Sequence, residues 1–275
     1  MLELEHGFRV VDVHARLNPD QEAVETLGRD ITPELLEREM HQAGIVRSAV
    51  SPGPQPAGES YLRENNAVAR LSVDRPFITF ARVNGPRSPG NDPVSWLRNF
   101  RVERDDHHTR PDDIEQYSYD DRFHGFLLVP EYDGLPDEEV VAALDRAAAP
   151  LIVHGGPEFP PQAAAETLLG YDFPVILASF GGSAICTELM DESLRLLDQY
   201  DRLYLDTSYV RYRDYLERGL LEHPDRVVFG SGAPDTHPNV GVMEILTLDV
   251  SEDLLQRVFT KNATRLIPGL GSGNA

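Results

Sequence analysis

Residues 175–207 read VILASFGGSAICTELMDESLRLLDQYDRLYLDT. The stretch opens with the apolar run Val175–Ser179 and closes with a second run, Leu203–Thr207. Between the two, Thr187–Tyr200 has apolar residues at the spacing of an amphipathic helix. Because both runs are mostly apolar, they are typical of parallel strands that helices cover. The stretch therefore predicts a strand, a covering helix and a second strand parallel to the first.

This unit repeats along the chain. Apolar runs of strand length occur at Val10–His14, Val46–Ser51, Phe77–Val83, Phe123–Val129, Leu151–His154, Val175–Ser179, Leu203–Thr207 and Val227–Ser231. No glycine-rich phosphate loop follows the first run, which argues against a dinucleotide-binding open sheet. Eight strands alternating with helices predict an α/β protein with a (β/α)8 TIM barrel, built as one domain over residues 1–275.

Two segments depart from this alternation. Residues 84–121 are rich in Pro, Gly, Asp and Arg and contain Trp96 and the pair His107-His108. A long loop after a barrel strand is often a lid or a binding loop, so we expect this one on the functional face. The chain ends in GSGNA, and residues 270–275 are predicted to form a flexible tail.

The chain is strongly acidic, with 46 Asp and Glu against 25 Lys and Arg and a formal net charge of −21. Such a surface repels phosphates, so nucleic acid is not an expected partner. Salt shortens the Debye length to about 3 Å at 1 M, which suppresses self-repulsion of the carboxylates. We therefore predict a halophilic protein of an acidic proteome. An unusually acidic ordinary protein is the alternative.

Other features bear on the location of the protein. No apolar run is long enough to span a membrane, and the first residues lack the basic-then-apolar order of a signal peptide. Cys186 is the single cysteine, which excludes a disulfide framework and a thiolate-rich zinc site. We expect a cytoplasmic protein with no membrane partner.

Polar side chains gather at the ends of the predicted strands, where the active site of a TIM barrel lies. In chain order they are His14, Arg16, His154, Ser179, Asp206, Thr207, Ser208 and Ser231, followed in the next loop by Asp235 and His237. The first strand alternates at period two. This pattern predicts one face made of Val11, Val13 and Ala15 and a polar face made of Asp12, His14 and Arg16.

The motifs VDVHA (11–15), LIVHGG (151–156), ILASFGG (176–182), LYLDTS (203–208), VVFGSGAP (227–234) and KNATRLI (261–267) resemble the amidohydrolase-related family. The resemblance covers nearly the whole chain. It implies a barrel like those of metal-dependent hydrolases, and a hydrolase, decarboxylase or lactonase acting on a small carboxylate. It also implies a divalent metal, usually zinc, for which His14 and His154 match two of the ligands.

Three positions depart from the pattern of that family. Arg16 stands where the second histidine of the first strand belongs, Ser179 where a histidine of the sixth strand belongs, and Gly232 where an aspartate belongs. That aspartate is both a ligand and the general base in the family. A catalytic zinc needs about three protein ligands, and an arginine repels a cation and has no lone pair to offer. The sequence therefore predicts a degraded metal site and argues against the usual metal-hydroxide mechanism.

The candidate residues divide by role. The catalytic candidates are His14, His154, Asp206 and Asp235, and the metal-binding candidates are His14 and His154. The predicted substrate-binding residues are Arg16, Ser179, Ser231 and His237. Arg16 leads this last group because a planar guanidinium can bind both oxygens of a substrate carboxylate.

Several of these residues have a structural alternative. Arg16 pairs with Asp12 or a loop carboxylate in the alternative reading, and Asp206 supports neighbouring strands. The segment Asp235–His237 is then an ordinary capped start of a helix before Pro238.

Three functions are consistent with the sequence. We favour a divergent enzyme of the family, a hydrolase or decarboxylase that acts on a small carboxylate through a rebuilt or metal-free site. The second is a non-catalytic barrel that binds a small anion or a protein partner. The third is a conventional metal-dependent hydrolase with substituted ligands such as Asp235 and His237. The resemblance is also consistent with a homodimer.

The acidic composition generates a prediction about salt. The melting temperature is expected to rise by about 10 °C as KCl is raised from about 0.1 M to about 2 M, because screening removes repulsion among carboxylates. Circular dichroism measures it, with sucrose as the control, since sucrose stabilises by exclusion and not by screening. A melting temperature that does not respond to KCl would identify an ordinary acidic protein.

Overall fold

The computed structural model describes residues 4–17, 32–90, 99, 103–182 and 186–271. At its centre is a sheet of eight parallel strands in chain order: β1 Val10–Leu17, β2 Ile45–Pro52, β3 Phe77–Val83, β4 Phe123–Leu128, β5 Leu151–Val153, β6 Val175–Leu177, β7 Leu203–Asp206 and β8 Val227–Val228. All seven neighbouring pairs are parallel. The predicted TIM barrel is confirmed, and β3 has the predicted bounds.

Backbone hydrogen bonds between β1 and the segment after β8 close the barrel. Val13 N–H donates to Phe229 O (3.0 Å), Gly232 N–H donates to His14 O (3.0 Å), and Arg16 N–H donates to Ala233 O (2.9 Å). Because β1 also pairs with β2, it is hydrogen-bonded along both edges. His14 and Arg16 are therefore held on a strand that is anchored along both edges.

Helices connect and cover the strands: α1 Pro33–Gln42, α2 Leu62–Leu71, α3 Pro111–Tyr119, α4 Pro130–Asp133, α5 Glu138–Ala147, α6 Pro161–Leu168, α7 Thr187–Leu197, α8 Arg213–Glu222, α9 Pro238–Leu246, α10 Glu252–Gln256 and α11 Asn262–Leu266. The side chain of Thr32 caps α1 by accepting from Leu35 N–H (3.3 Å). Asp137 caps α5 in the same way through Val140 N–H (3.1 Å). Within the described residues, none of the helices has the length and apolar character needed to cross a membrane.

The strand β1 does not keep the alternation predicted for it. Val11 and Val13 pack inside the barrel, whereas Ala15 packs in the outer layer between sheet and helices. The cause is a shift of register against β2 between Asp12 and Ala15. The prediction that Val11, Val13 and Ala15 share one face is therefore wrong.

Apolar side chains fill the inside of the barrel, and the end of the chain closes its lower opening. The inner layer includes Phe80, Ile152 and Ile176, and the residues Ala263, Ile267 and Leu270 join it from below. Because Leu270 is buried there, the flexible tail predicted from residue 270 does not begin at that residue. Residues 272–275 lie outside the described part of the chain.

The segment 84–121 is not a single long loop. Its last part forms α3, which buries Ile114 and Tyr117 in the outer core. Asn84 and Thr109 bind each other: Asn84 N–H donates to Thr109 Oγ1 (3.0 Å) and Thr109 N–H donates to Asn84 Oδ1 (2.7 Å). The two ends of the remaining loop are thus tied together. Trp96 lies outside the described residues, and a role for this loop as a lid stays a prediction.

A buried ion pair connects β3, α4 and the segment before α2 beside the carboxyl end of the barrel. Arg82 of β3 binds Asp133 of α4 with two parallel hydrogen bonds, Nε to Oδ2 (2.9 Å) and Nη2 to Oδ1 (3.1 Å). Asp133 also accepts from the Tyr61 hydroxyl (2.7 Å), and the guanidinium lies over the Tyr61 ring. Arg82 and Asp133 are each 1% exposed. This arrangement was not predicted from the sequence.

Removing one partner of this pair should destabilise the folded protein. Asp133→Asn is expected to lower the free energy of unfolding by about 3 kcal/mol, because it leaves Arg82 buried without its counterion. Urea unfolding measures the change. The matched control is Asp120→Asn, which breaks the surface pair of Asp120 with Arg122 and should cost less than about 1 kcal/mol. Equal effects of the two substitutions would contradict the prediction.

Candidate active site

Two imidazoles meet at the carboxyl end of the barrel. His14 of β1 and His154, directly after β5, point their Nε2 atoms at each other across 2.8 Å, and their rings are nearly perpendicular, at 87°. His14 is buried and His154 is half-buried. The fold therefore brings together two histidines that the strand ends predicted to share a site.

Asp206, the last residue of β7, lies on the other side of His14. Its Oδ2 is 2.8 Å from His14 Nδ1, and its Oδ1 accepts hydrogen bonds from Ser179 N–H (2.9 Å), Ser208 N–H (2.9 Å) and the Ser208 hydroxyl (2.5 Å). Burial opposes the charged form, but the neighbouring His14 and these donors hold the pKa of Asp206 below its ordinary value of 3.8. The carboxyl group is therefore ionised at neutral pH.

The hydrogen bonds determine which nitrogens carry protons. An ionised Asp206 only accepts, so His14 Nδ1 carries a hydrogen and donates it. When both rings are neutral, His14 Nε2 is then bare and accepts from a hydrogen on His154 Nε2. His154 Nδ1 is left bare, and the described residues offer it no hydrogen-bond partner. The free lone pair of this chain of three residues is therefore on His154 Nδ1.

The surroundings of His154 keep its ring neutral. Burial is the main cause that lowers its pKa well below the ordinary value of 6.5, and the positive charges of Arg16 and Arg82, together with that of His14 whenever its ring is protonated, act in the same direction. At neutral pH His154 thus has a lone pair to accept a proton, and the imidazolium formed would readily give that proton up.

Strained backbone places the donors around Asp206. Ser179, Phe180 and Tyr209 have left-handed φ angles of 54°, 55° and 59°. This conformation costs roughly 1–2 kcal/mol for a residue with a side chain, so the surrounding contacts must hold it. The turn at Ser179 ends β6 at Leu177, two residues earlier than predicted, and points Ser179 N–H at Asp206.

Arg16 lies beside these histidines and is paired with a carboxylate. Its guanidinium donates to Asp235 Oδ2, in the loop after β8, and the same oxygen accepts from the Tyr209 hydroxyl (2.8 Å). The side chains of Arg16 and Asp235 are 13% and 16% exposed. The alternative in which Arg16 pairs with a loop carboxylate is the observed one. The pair nevertheless lies near enough to His154 for the charge of Arg16 to lower its pKa.

A family model described as Amidohydrolase matches residues 11–269. The chain belongs to the amidohydrolase family. No protein in a search of curated sequences matches this one.

Solved structures support the fold. A TIM-barrel protein from Bordetella bronchiseptica, described as uncharacterized, is 17% identical, with 96% of this chain and 100% of that chain covered and a TM-score of 0.68. A 2,6-dihydroxybenzoate decarboxylase from Rhizobium is 15% identical, with coverages of 94% and 98% and a TM-score of 0.61. A probable 2-pyrone-4,6-dicarboxylic acid hydrolase from Acinetobacter baumannii, solved with citric acid bound, is 14% identical, with coverages of 94% and 99% and a TM-score of 0.61.

The residues of this amidohydrolase-family member do not fit the metal that the family implies. Two imidazoles are present, but the other ligand positions hold Arg16, Ser179 and Gly232. Gly232 has φ +68°, and a Cβ atom there would lie 2.7–2.9 Å from the ring of Tyr209. An aspartate, which the sequence lacks at residue 232, would require the Tyr209 ring to move and a side chain on a left-handed backbone.

Among the described residues, one group of three could supply metal ligands, and it lies elsewhere. It consists of Asp105, His107 and His108, in the loop between β3 and α3. His108 Nδ1 already accepts from Asp105 N–H (2.9 Å), which places the ring hydrogen of the neutral imidazole on Nε2. His108 would have to give up this hydrogen bond to bind a metal, so the cluster does not replace the site at His14.

Three predicted substrate-binding residues make hydrogen bonds within the protein. Ser231 is buried and its hydroxyl donates to Asp12 Oδ2 (2.7 Å). The Ser179 hydroxyl lies 3.3 Å from that of Ser208. His237 caps α9 by accepting at Nδ1 from Asn239 N–H (3.1 Å). The substrate-binding roles of Ser179, Ser231 and His237 stay predictions.

Sequence reasoning assigned no role to two residues of this site. Ser208 was named among the polar residues at the strand ends, one residue after the predicted strand Leu203–Thr207, but no role was assigned to it. Tyr209 gave no signal, because its contacts with Gly232 and Asp235 depend on a left-handed turn that the sequence pattern does not reveal.

The lowered pKa of His154 predicts how stability depends on pH. The unfolded chain binds a proton at His154 below pH 6.5, whereas the folded protein does not, so the free energy of unfolding falls as the pH falls below 6.5. This residue contributes a slope of up to about 1.4 kcal/mol per pH unit. His154→Gln should remove that slope in urea unfolding between pH 6.5 and 5.5. The exposed His41→Gln is the control, and an unchanged slope in His154→Gln would contradict the assignment.

Proposed function

We propose that this amidohydrolase-family protein is a hydrolase or decarboxylase that acts on a small carboxylate by general acid–base catalysis. His154 is the residue that exchanges protons with the substrate or with water. The observation that supports this most directly is the unbroken chain Asp206–His14–His154, with both contacts at 2.8 Å and with a free lone pair at its outer end. An oriented imidazole backed by a buried carboxylate is a recurrent proton-transfer device.

In the hydrolytic version, a water molecule attacks the carbonyl carbon and gives its proton to His154 Nδ1. The hydrogen on His154 Nε2 passes to His14 Nε2, so the positive charge forms on His14, next to ionised Asp206. The reverse transfer returns the proton to the leaving oxygen. In the decarboxylating version, His154 Nδ1 first takes up a proton from the solvent. The protonated chain then donates that proton to the carbon from which carbon dioxide departs, which returns the chain to its neutral state. The same three side chains serve both reactions.

Arg16 is the feature of this chain that supports a carboxylate substrate. The decarboxylase from Rhizobium and the probable hydrolase from Acinetobacter baumannii are named for an aromatic and a pyrone carboxylate, and the likeness to them shows the fold alone. Within this chain, the cation nearest to the histidines with unused hydrogen-bonding capacity is Arg16, whose Nε is buried without a partner among the described residues. A guanidinium with free donors suits a carboxylate.

A non-catalytic barrel that binds a small anion is the second candidate. The observation that favours it is that both arginines near His154 are already paired, Arg16 with Asp235 and Arg82 with Asp133. Such pairing leaves little net positive charge to stabilise a developing anion.

Activity assays test the proposal. The purified protein, in high KCl, is assayed with 2,6-dihydroxybenzoate, 5-carboxyvanillate and 2-pyrone-4,6-dicarboxylate, with and without prior removal of metals by dipicolinate. We expect turnover that survives the chelator. His154→Gln and His14→Gln should each lower kcat by roughly 10²–10⁴-fold, because the proton acceptor or its support is lost. His41→Gln is the control.

The same assays separate the alternatives. Turnover that disappears with dipicolinate and returns with zinc or manganese would identify a conventional metal-dependent hydrolase. Binding of a carboxylate without turnover would identify the non-catalytic barrel. Asp206→Asn should lower kcat less than His154→Gln does, because Asp206 acts through His14 and not on the substrate.

A further inference from the structure

We infer that the Arg16 guanidinium and the Tyr209 hydroxyl form the binding site for the ligand's carboxylate, and that Asp235 occupies this site in the free protein. The inference rests on the proposed function in one respect, that the ligand carries a carboxylate. It assigns Asp235 the role of an internal competitor, in place of the catalytic role predicted from the sequence.

The contacts of Asp235 define the site. Arg16 and Tyr209 converge on one oxygen, Oδ2, from β1 and from the segment after β7. A ligand carboxylate that replaced Asp235 would meet the same two donors. Burial raises the pKa of Tyr209, so its hydroxyl keeps its hydrogen and donates at neutral pH. The Tyr209 ring also packs edge-on against His14, with ring centroids 6.4 Å apart. An anion held here would lie beside the catalytic histidines.

Asp235 is an incomplete partner for Arg16. A carboxylate can engage a guanidinium with two parallel hydrogen bonds. In this pair the second set of atoms is unused: Arg16 Nε and Asp235 Oδ1 are both buried, and neither has a hydrogen-bond partner among the described residues. A buried polar atom without a partner costs about 1–3 kcal/mol. Asp235 is tethered to the loop after β8, whereas a free ligand is under no such constraint.

The second buried arginine shows what a permanent pair looks like in this molecule. Arg82 engages Asp133 through both Nε and Nη2, and every polar atom of the two side chains that is fully buried has a partner. The pair is also 1% exposed, against 13% and 16% for Arg16 and Asp235. The same protein thus holds one arginine in a completed ion pair and another in an incomplete, accessible one. The incomplete pair is the one that a ligand can exchange.

Equilibrium binding of 2,6-dihydroxybenzoate tests the inference, using isothermal titration calorimetry of the full chain at constant KCl. Asp235→Asn is expected to lower the Kd about tenfold, because the internal carboxylate no longer competes for Arg16. Adding Arg16→Gln to Asp235→Asn should remove the gain. Adding Tyr209→Phe instead should raise the Kd several-fold. All variants are first compared with the unsubstituted protein by circular dichroism.

A second Arg–Asp–Tyr cluster supplies the matched control. Asp191 of α7 accepts from Arg218 (2.6 Å) and from the Tyr215 hydroxyl (2.9 Å) on the helical surface. Asp191→Asn also removes one negative charge from between an arginine and a tyrosine, but at a place away from the histidines. It should therefore leave the Kd unchanged. Thermal unfolding gives an independent readout: the ligand should raise the melting temperature of Asp235→Asn more than that of the unsubstituted protein.

The inference is overturned if Asp235→Asn binds 2,6-dihydroxybenzoate no more tightly than the unsubstituted protein, or if tighter binding survives Arg16→Gln. Absence of any binding to Asp235→Asn also overturns it. The outcome is separate from that of the proposed function, because binding needs no turnover. Tighter binding in Asp235→Asn without turnover in any variant would retain this site and reject the enzyme.

Discussion

The buried carboxylate of Asp12 is the group on which the site depends. Its Oδ1 accepts from the backbone N–H groups of His14 and Ser231 (2.9 Å each), and its Oδ2 accepts from the hydroxyls of Ser231 (2.7 Å) and Ser48 (3.1 Å). Burial raises its pKa, and the four donors compensate the cost of a carboxyl group inside the protein. They come from β1, β2 and the segment after β8. Asp12 thus stabilises the closure of the barrel where β1 changes register, and it orients the backbone of His14.

The sequence predicted the fold far better than the site, and the reason is the range of the interactions. Strands such as Phe77–Val83 can be predicted from the local order of apolar residues, which a short segment of sequence contains in full. The site is made by contacts between distant positions, such as His14 with Asp206, 192 residues apart, and Arg16 with Asp235, 219 residues apart. The predicted strand ends placed His14 and His154 on one face, but they could not predict the hydrogen-bond partner of each polar atom.

The departures from the family's ligand pattern are physically consistent with one another. The Tyr209 ring occupies the space beside Gly232 that a side chain at residue 232 would need. Ser179 contributes its backbone N–H to Asp206, and its small side chain leaves space for Ser208. Arg16 adds a positive charge where a metal ion would otherwise supply it. Restoring a single ligand would therefore not restore a metal site, because its neighbours have been rebuilt around hydrogen bonds.

The charge of the whole protein explains why a ligand-binding arginine would be paired in the free state. A guanidinium in a mostly buried position, with no counterion, costs several kcal/mol. In a chain with a net charge of −21, carboxylates are the most available counterions. Asp235 provides a tethered counterion. It stabilises Arg16 but makes no bidentate contact with it, so a small anion can replace Asp235. Asp235 thus stabilises the free protein and at the same time lowers its affinity for the ligand. The geometry of the Arg16–Asp235 pair determines the size of both effects.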